Sequence, residues 1–192
     1  MNYFTPRLFL GMTATPDKRT DSDDNIYEIF NHQIAYEIRL QQAMEEELLC
    51  PFHYFGITDL SVVHETKSKN LSYEEFNKLI CDERVEHILE QANYYGYSGE
   101  RVKGLVFCSR KQECQQLSAK FNELGYRTVA LSGDDSEEIR QNAFERLAMD
   151  EENATDKEPL DYIFSVDILN EGVDIVEVNQ VIMLRPTQSP IV

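Results

Sequence analysis

Four short apolar runs in the second half of this 192-residue chain end in the same kinds of residue. Ser109 and Arg110 follow LVFC, and Ser132, Gly133 and Asp134 follow VAL. Ser165 and Asp167 close IFSVD, with Glu171, Gly172 and Asp174 just beyond, and Arg185 to Thr187 follow VIML. Serine hydroxyls in such places can donate to phosphate oxygens, backed by the backbone amides of a helix that starts next to them. Gly172 lets a backbone approach a ligand closely. Each ending also has a plainer reading, with the serines as helix caps and Gly172 as an ordinary turn beside a solvated Asp174. Their joint occurrence along one edge of one sheet favours a ligand. Near the start, Thr13 and Thr15 flank Ala14 ahead of Pro16, where a local turn held by threonine hydroxyls is the plain reading.

The elements that must position these residues follow from the apolar pattern. The runs GLVFC (104–108), TVAL (128–131), YIFSV (162–166) and VIML (181–184) are continuously apolar, as strands buried on both faces are. Between them, residues 111–124, closed by Gly125, and 136–147, capped by Asp135 with Glu138, have helical spacing. Strands alternating with helices of this length predict a doubly wound, mostly parallel α/β sheet with helices on both faces, whose ligands gather at the strands' carboxyl ends. Upstream, Ser72 with Glu75 forms a capping box for a helix carrying Phe76, Leu79, Ile80, Val85, Ile88, Leu89 and Ala92. Arg7 to Met12 reads as a buried strand, 17–25 as an exposed connection, and Ile34, Tyr36, Ile38 and Leu40 as a half-buried alternating strand. Residues 41–49 are predicted helical and 51–57 strand-like.

The segment GMTATP (11–16), followed by LVFCSR, LSGDD with Arg140, and FSVDILNEGVDIVEVNQVIMLRPT (164–187), resembles the superfamily 2 helicases and translocases, in the branch that includes restriction-type and DEAD/DEAH-like enzymes. The resemblance implies a RecA-like fold and covers essentially the whole chain. Residues 1–17 correspond to the last strand and motif III of a first RecA-like domain, 18–50 to a connecting segment, and 51–192 to the second domain, ending before the family's final arginine motif. It also implies roles. Thr13 and Thr15 couple the two domains, Glu171, Gly172 and Asp174 contribute to ATP binding with Asp174 accepting from a ribose hydroxyl, and Ser109, Arg110, Ser132, Gly133, Ser165 and Asp167 contact nucleic acid. The cofactors implied are ATP and magnesium in the intact protein. The partners implied are nucleic acid, expected to be DNA, and the first domain of the same polypeptide. No GxxxxGK[ST] phosphate loop occurs, so the chain by itself is expected to bind no nucleotide and to lack ATPase activity.

Subtracting 35 acidic from 18 basic side chains leaves a charge of -17, which argues against a broad basic footprint for nucleic acid and leaves Arg110, Lys111 and Arg140 as the local cations. Much of the acidity falls in 150–158 and 45–48, read as solvated surface. With 42% hydrophobic residues the chain can fill a core, and no apolar window is long enough for a membrane span, so a cytoplasmic protein is expected. Cys50, Cys81, Cys108 and Cys114 have no paired spacing and read as buried free thiols; Cys50 with His53 and Cys81 with His87 do not complete a zinc site. Two other readings stay open. Asp59 with Glu65 and Lys67 has the residue types of a metal-dependent nuclease, and a non-catalytic doubly wound binding domain fits the same elements.

Overall fold

A computed structural model describes residues 7–13, 26–58, 80–154, 157–166, 168–169 and 175–184. The chain divides into two compact units, residues 1–55 and 56–192. In the first, α1 (Ile26–Ile29) and α2 (Leu40–Glu45) are the regular elements among the described residues. Phe9 stacks on Phe30 with ring centroids 4.9 Å apart, and a Cβ on Gly11 would run into the same Phe30 ring, so this close approach requires glycine.

The strands expected upstream of residue 58 are not formed among the described residues. Residues 7–13 are irregular and exposed, residues 34–39 are irregular with Ile34 and Tyr36 largely in solvent, and residues 51–58 are irregular and exposed throughout. Alternation supplies a strand with an apolar face, but a ladder needs a neighbour to take its N–H and C=O groups, and none adjoins these segments among the described residues. The helix expected to Leu49 ends at Glu45. Glu45, Glu46 and Glu47 would crowd carboxylates at the negative end of the helix dipole, and the chain turns out through Glu47 with φ 57.

The second unit contains the expected parallel sheet. Its strands are β1 (Gly104–Phe107), β2 (Thr128–Leu131), β3 (Tyr162–Ser165) and β4 (Gln180–Met183), in the order β2-β3-β1-β4. All pairs are parallel, with Leu105 level with Ile163 and Val181, and Ile163 level with Val129. Alternate residues therefore serve two cores. Val106, Tyr162 and Phe164 face α3 (Asp82–Tyr95) and α4 (Lys111–Glu123), whose Val85, Ile88, Cys114, Leu117 and Phe121 fill one layer. Leu131 and Ile163 face α5 (Glu137–Ala148) through Ala143 and Leu147 in the other. Phe121 anchors the first core, its ring centroid 5.0 Å from that of Phe164 and 5.7 Å from that of Tyr162. Gly104 has no side chain because Tyr162 on the next strand lies across the place a Cβ would take.

Two helix starts differ from expectation. α3 begins at Asp82 with Cys81 as N-cap, and the Ser72–Glu75 box lies outside the described residues. α5 is capped by Ser136, whose hydroxyl accepts from the Ile139 amide, because Asp135 is turned back onto Ser132. No described helix is long and apolar enough to cross a membrane.

The amino edge of the sheet is closed by charge. Arg101 donates to the carbonyls of Leu147, Leu160 and Met149, tying the end of α5 to the start of β3. Lys103 donates to the Ala148 carbonyl and pairs with Asp150 at 2.6 Å; Arg127 pairs with Asp161 at 2.7 Å and Glu151 at 2.5 Å. Burial lowers the Arg101 pKa, whereas hydrogen bonds to Asp161 and Glu151 raise that of Arg127. Asn179 and Gln180 sew the end of α3 to the sheet through the carbonyls of Ser98, Arg101, Ala92 and Gly96.

Candidate functional site

At the opposite, carboxyl edge the chain leaves β1 and β2 through small and polar residues. β1 runs through buried Cys108 to exposed Ser109 and then Arg110, the N-cap of α4, whose side chain makes no capping hydrogen bond. The Cys108 amide donates to the Ser165 carbonyl at 2.9 Å, so the ends of β1 and β3 are tied in register. The Cys108 thiol is pushed far above its usual range, first by its hydrogen bond with Cys114 and then by burial, which leaves it unreactive. The expectation of buried thiols thus holds for Cys108 and Cys114, while Cys50 is exposed and Cys81 half-buried.

β2 ends in a tight polar loop. The Ser132 amide and hydroxyl both donate to one Asp135 carboxylate oxygen, at 2.7 and 3.2 Å, and the Asp134 amide donates to the Ser132 hydroxyl at 3.3 Å. Arg140 reaches back from the first turn of α5 to the carbonyls of Ser132 and Gly133, at 3.3 and 3.0 Å. A Cβ at Gly133 would meet nothing within 4 Å, so the loop surface there is open to close approach. Lys111, at the start of α4, pairs with Asp134 at 2.5 Å and joins the two loops across the edge; both side chains are at least half exposed.

β3 ends differently. Ser165 is buried, and its hydroxyl donates to the Ile168 carbonyl at 3.3 Å; a contact from this hydroxyl to a ligand requires that bond to open. Leu169 follows with φ 66, a left-handed conformation that a branched side chain adopts only under constraint from its surroundings. Strain of this kind gathers at functional sites.

The structure therefore brings Ser109, Arg110, Ser132, Gly133 and Ser165 to one edge. Thr13 is exposed in the irregular stretch of the first unit. Thr15, Asp167, Glu171, Gly172, Asp174 and Arg185 to Thr187 lie outside the described residues, as do Asp59, Glu65 and Lys67. Three residues at this edge escaped sequence reasoning. Glu113 and Arg84 form a buried pair beneath Ser109; the acid at the third position of α4 was a legible signal, its arginine partner was not. Leu169 gave no signal, since its residue type argues against its conformation.

Residues 82–192 match the family described as the helicase conserved C-terminal domain. That span is more than half of the chain, and the chain belongs to this family, with the RecA-like α/β sheet that the strand order and helix layers display. Two curated relatives are distant. One, a 51.5 kDa protein of a Lactococcus phage, is 23% identical over 96% of this chain and 37% of its own length. The other, a probable ATP-dependent RNA helicase of Methanocaldococcus jannaschii, is 24% identical over 71% of this chain and 33% of its own length. The chain thus spans between a third and two fifths of the length of these relatives. Helicase-domain membership brings ATP and magnesium into consideration. Among the described residues no group of three or more His, Cys, Asp or Glu side chains could hold a metal, and the sequence carries no GxxxxGK[ST] phosphate loop.

Proposed function

We propose that this chain supplies the second motor domain of an ATP-dependent nucleic-acid helicase or translocase, acting in the cytoplasm, and that the carboxyl edge of its sheet grips one strand through backbone contacts. The observation that carries this reading is the convergence of Ser109, Arg110, Lys111, Ser132 and Gly133 on one edge of a helicase C-terminal domain. The chemistry is sequence-independent. Hydroxyls, the amides that open α4 and α5, and nearby cations are suited to phosphate oxygens, and no base-reading element is required. The Lys111–Asp134 pair is exposed, so a phosphate can take the place of Asp134 at a cost of about 1 kcal/mol or less. In the intact protein, Glu171, Gly172 and Asp174 complete an ATP and magnesium site with a first RecA-like domain, and Thr13 and Thr15 transmit closure between the domains. The isolated chain is then a strand-binding module without ATPase activity.

Fluorescence anisotropy with single-stranded DNA and RNA oligonucleotides tests the grip. Combining Arg110→Ala with Lys111→Ala should weaken binding of every sequence alike and reduce the salt slope by about one for each phosphate no longer neutralised. Wild-type affinity and an unchanged slope in the double variant would contradict the assignment. The archaeal relative's name specifies RNA; comparing the two oligonucleotides decides the preference of this chain.

A further inference from the structure

Among the described residues, the most deeply buried ion pair of the second unit lies directly beneath the strand-gripping edge. Arg84, in the first turn of α3, donates from Nη1 to Glu113 Oε1 at 3.1 Å, and both side chains are only 1% exposed. The other carboxylate oxygen of Glu113 accepts from the backbone amide of Ser109 at 3.0 Å. One carboxylate therefore joins α3 to Ser109 in the β1–α4 loop. Withdrawing two charges from water generally gains little net stability, and matched apolar side chains often serve a core as well. Val85 and Cys114, next to the pair in sequence, and Leu117 belong to the apolar core of this layer. What an apolar pair cannot do is accept a hydrogen bond from Ser109. The neighbouring loop makes the contrast plain: Ser132 is held by Asp135 within its own turn, whereas Ser109 is held from inside the core.

We propose that the Arg84–Glu113 pair is a positioning device, in which Arg84 fixes the Glu113 carboxylate and Glu113 fixes the Ser109 amide so that Ser109 and Arg110 are presented to the strand in one geometry. This rests on the reading of the edge as a strand grip, and it assigns to two buried residues a role in that grip rather than in overall stability. Neither touches the nucleic acid. A loop released from Glu113 must be ordered by the strand itself, and the cost of that ordering appears as weaker binding.

The test uses the full chain and two double variants that leave no unpaired buried charge. Arg84→Met with Glu113→Leu removes the acceptor, and Arg84→Met with Glu113→Gln keeps a neutral one. Three quantities are measured on each: the urea midpoint, hydrogen exchange at the Ser109 amide, and affinity for a fluorescent single-stranded oligonucleotide. The leucine variant should keep the wild-type midpoint, lose protection at Ser109 by about tenfold or more, and bind the strand several-fold more weakly; the glutamine variant, which keeps an acceptor but lacks the guanidinium that fixes it, should fall between the leucine variant and the wild type in both. Undiminished protection at Ser109 in the leucine variant would overturn the proposal, as would equal losses in both variants, unchanged affinity despite a freed amide, or failure of the doubles to fold. If the wild-type chain binds no oligonucleotide, the strand-grip reading fails, and the positioning role proposed for the pair falls with it.

Discussion

The two edges of the sheet in the second unit are built from opposite materials. At the amino edge, Arg101, Lys103 and Arg127 are wrapped around carbonyls and carboxylates, and Asn179 and Gln180 fasten the end of α3, so donors and acceptors are largely matched within the fold. At the carboxyl edge the β1–α4 and β2–α5 loops are short, Gly133 is open, and the cations Lys111 and Arg140 are engaged with an exposed acid and with carbonyls of the β2–α5 loop. The first arrangement uses its charge to hold the chain together. The second leaves interactions that a ligand can exchange for its own. Strand direction decides which is which, since in a parallel sheet all carboxyl ends meet on the same side.

The largest expected effect breaks the amino edge. Arg101→Met keeps the stem but strands the carbonyls of Leu147, Met149 and Leu160, and should lower stability by about 3 kcal/mol in urea unfolding. A midpoint equal to that of the native chain would mean that the clasp is dispensable.

A smaller effect comes with acid. Hydrogen bonds from Lys103 and Arg127 hold the Asp150 and Glu151 carboxyls below their ordinary values of 3.8 and 4.5. A depressed carboxylate pKa contributes stability that is present above the unfolded value and is lost as pH falls through the folded one. The urea midpoint should therefore begin to drop below about pH 4.5, and less steeply when Asp150→Asn is combined with Glu151→Gln. Both carboxylates are exposed, so added salt should shrink the difference. Parallel pH profiles for the double variant and wild type would remove these pairs from the account.

The smallest change in stability is expected at the carboxyl edge. Gly133→Ala places a methyl group in open space and should alter stability by less than about 0.5 kcal/mol, while measurably weakening strand binding by blocking close approach. Reduced stability with intact binding would reverse the contrast between the edges.

Much of the second unit was legible in the sequence because its signals are local. The four strands and two of the helices were marked by continuous apolar runs, helical spacing and punctuating residues such as Gly125, and the observed bounds differ from the expected ones by a residue or so. The first unit misled because Ile34, Tyr36, Ile38 and Leu40 have the alternation of a strand, and alternation reports a face without reporting a neighbour. The cap of α5 went to Ser136 over Asp135 because adjacent residues with equal cap propensity are separated only by where the loop aims them. Glu113 and Arg84 are 29 positions apart, and a buried charge is recognisable only when its partner is known. The edge at which Ser109, Ser132 and Ser165 gather followed from parallel topology, but the burial of the Ser165 hydroxyl depended on the path of the chain beyond β3, which no pattern in IFSVD specified.

The most direct test of the central claim is a map of amide chemical shifts in the isotopically labelled chain during titration with a short single-stranded oligonucleotide. The strand grip predicts that Ser109, Lys111, Ser132 and Gly133 shift progressively and saturably, and that Arg101, Arg127 and Asn179 at the other end of the same strands stay still. Shifts confined to the amino edge, or none at concentrations that saturate the anisotropy signal, would contradict it.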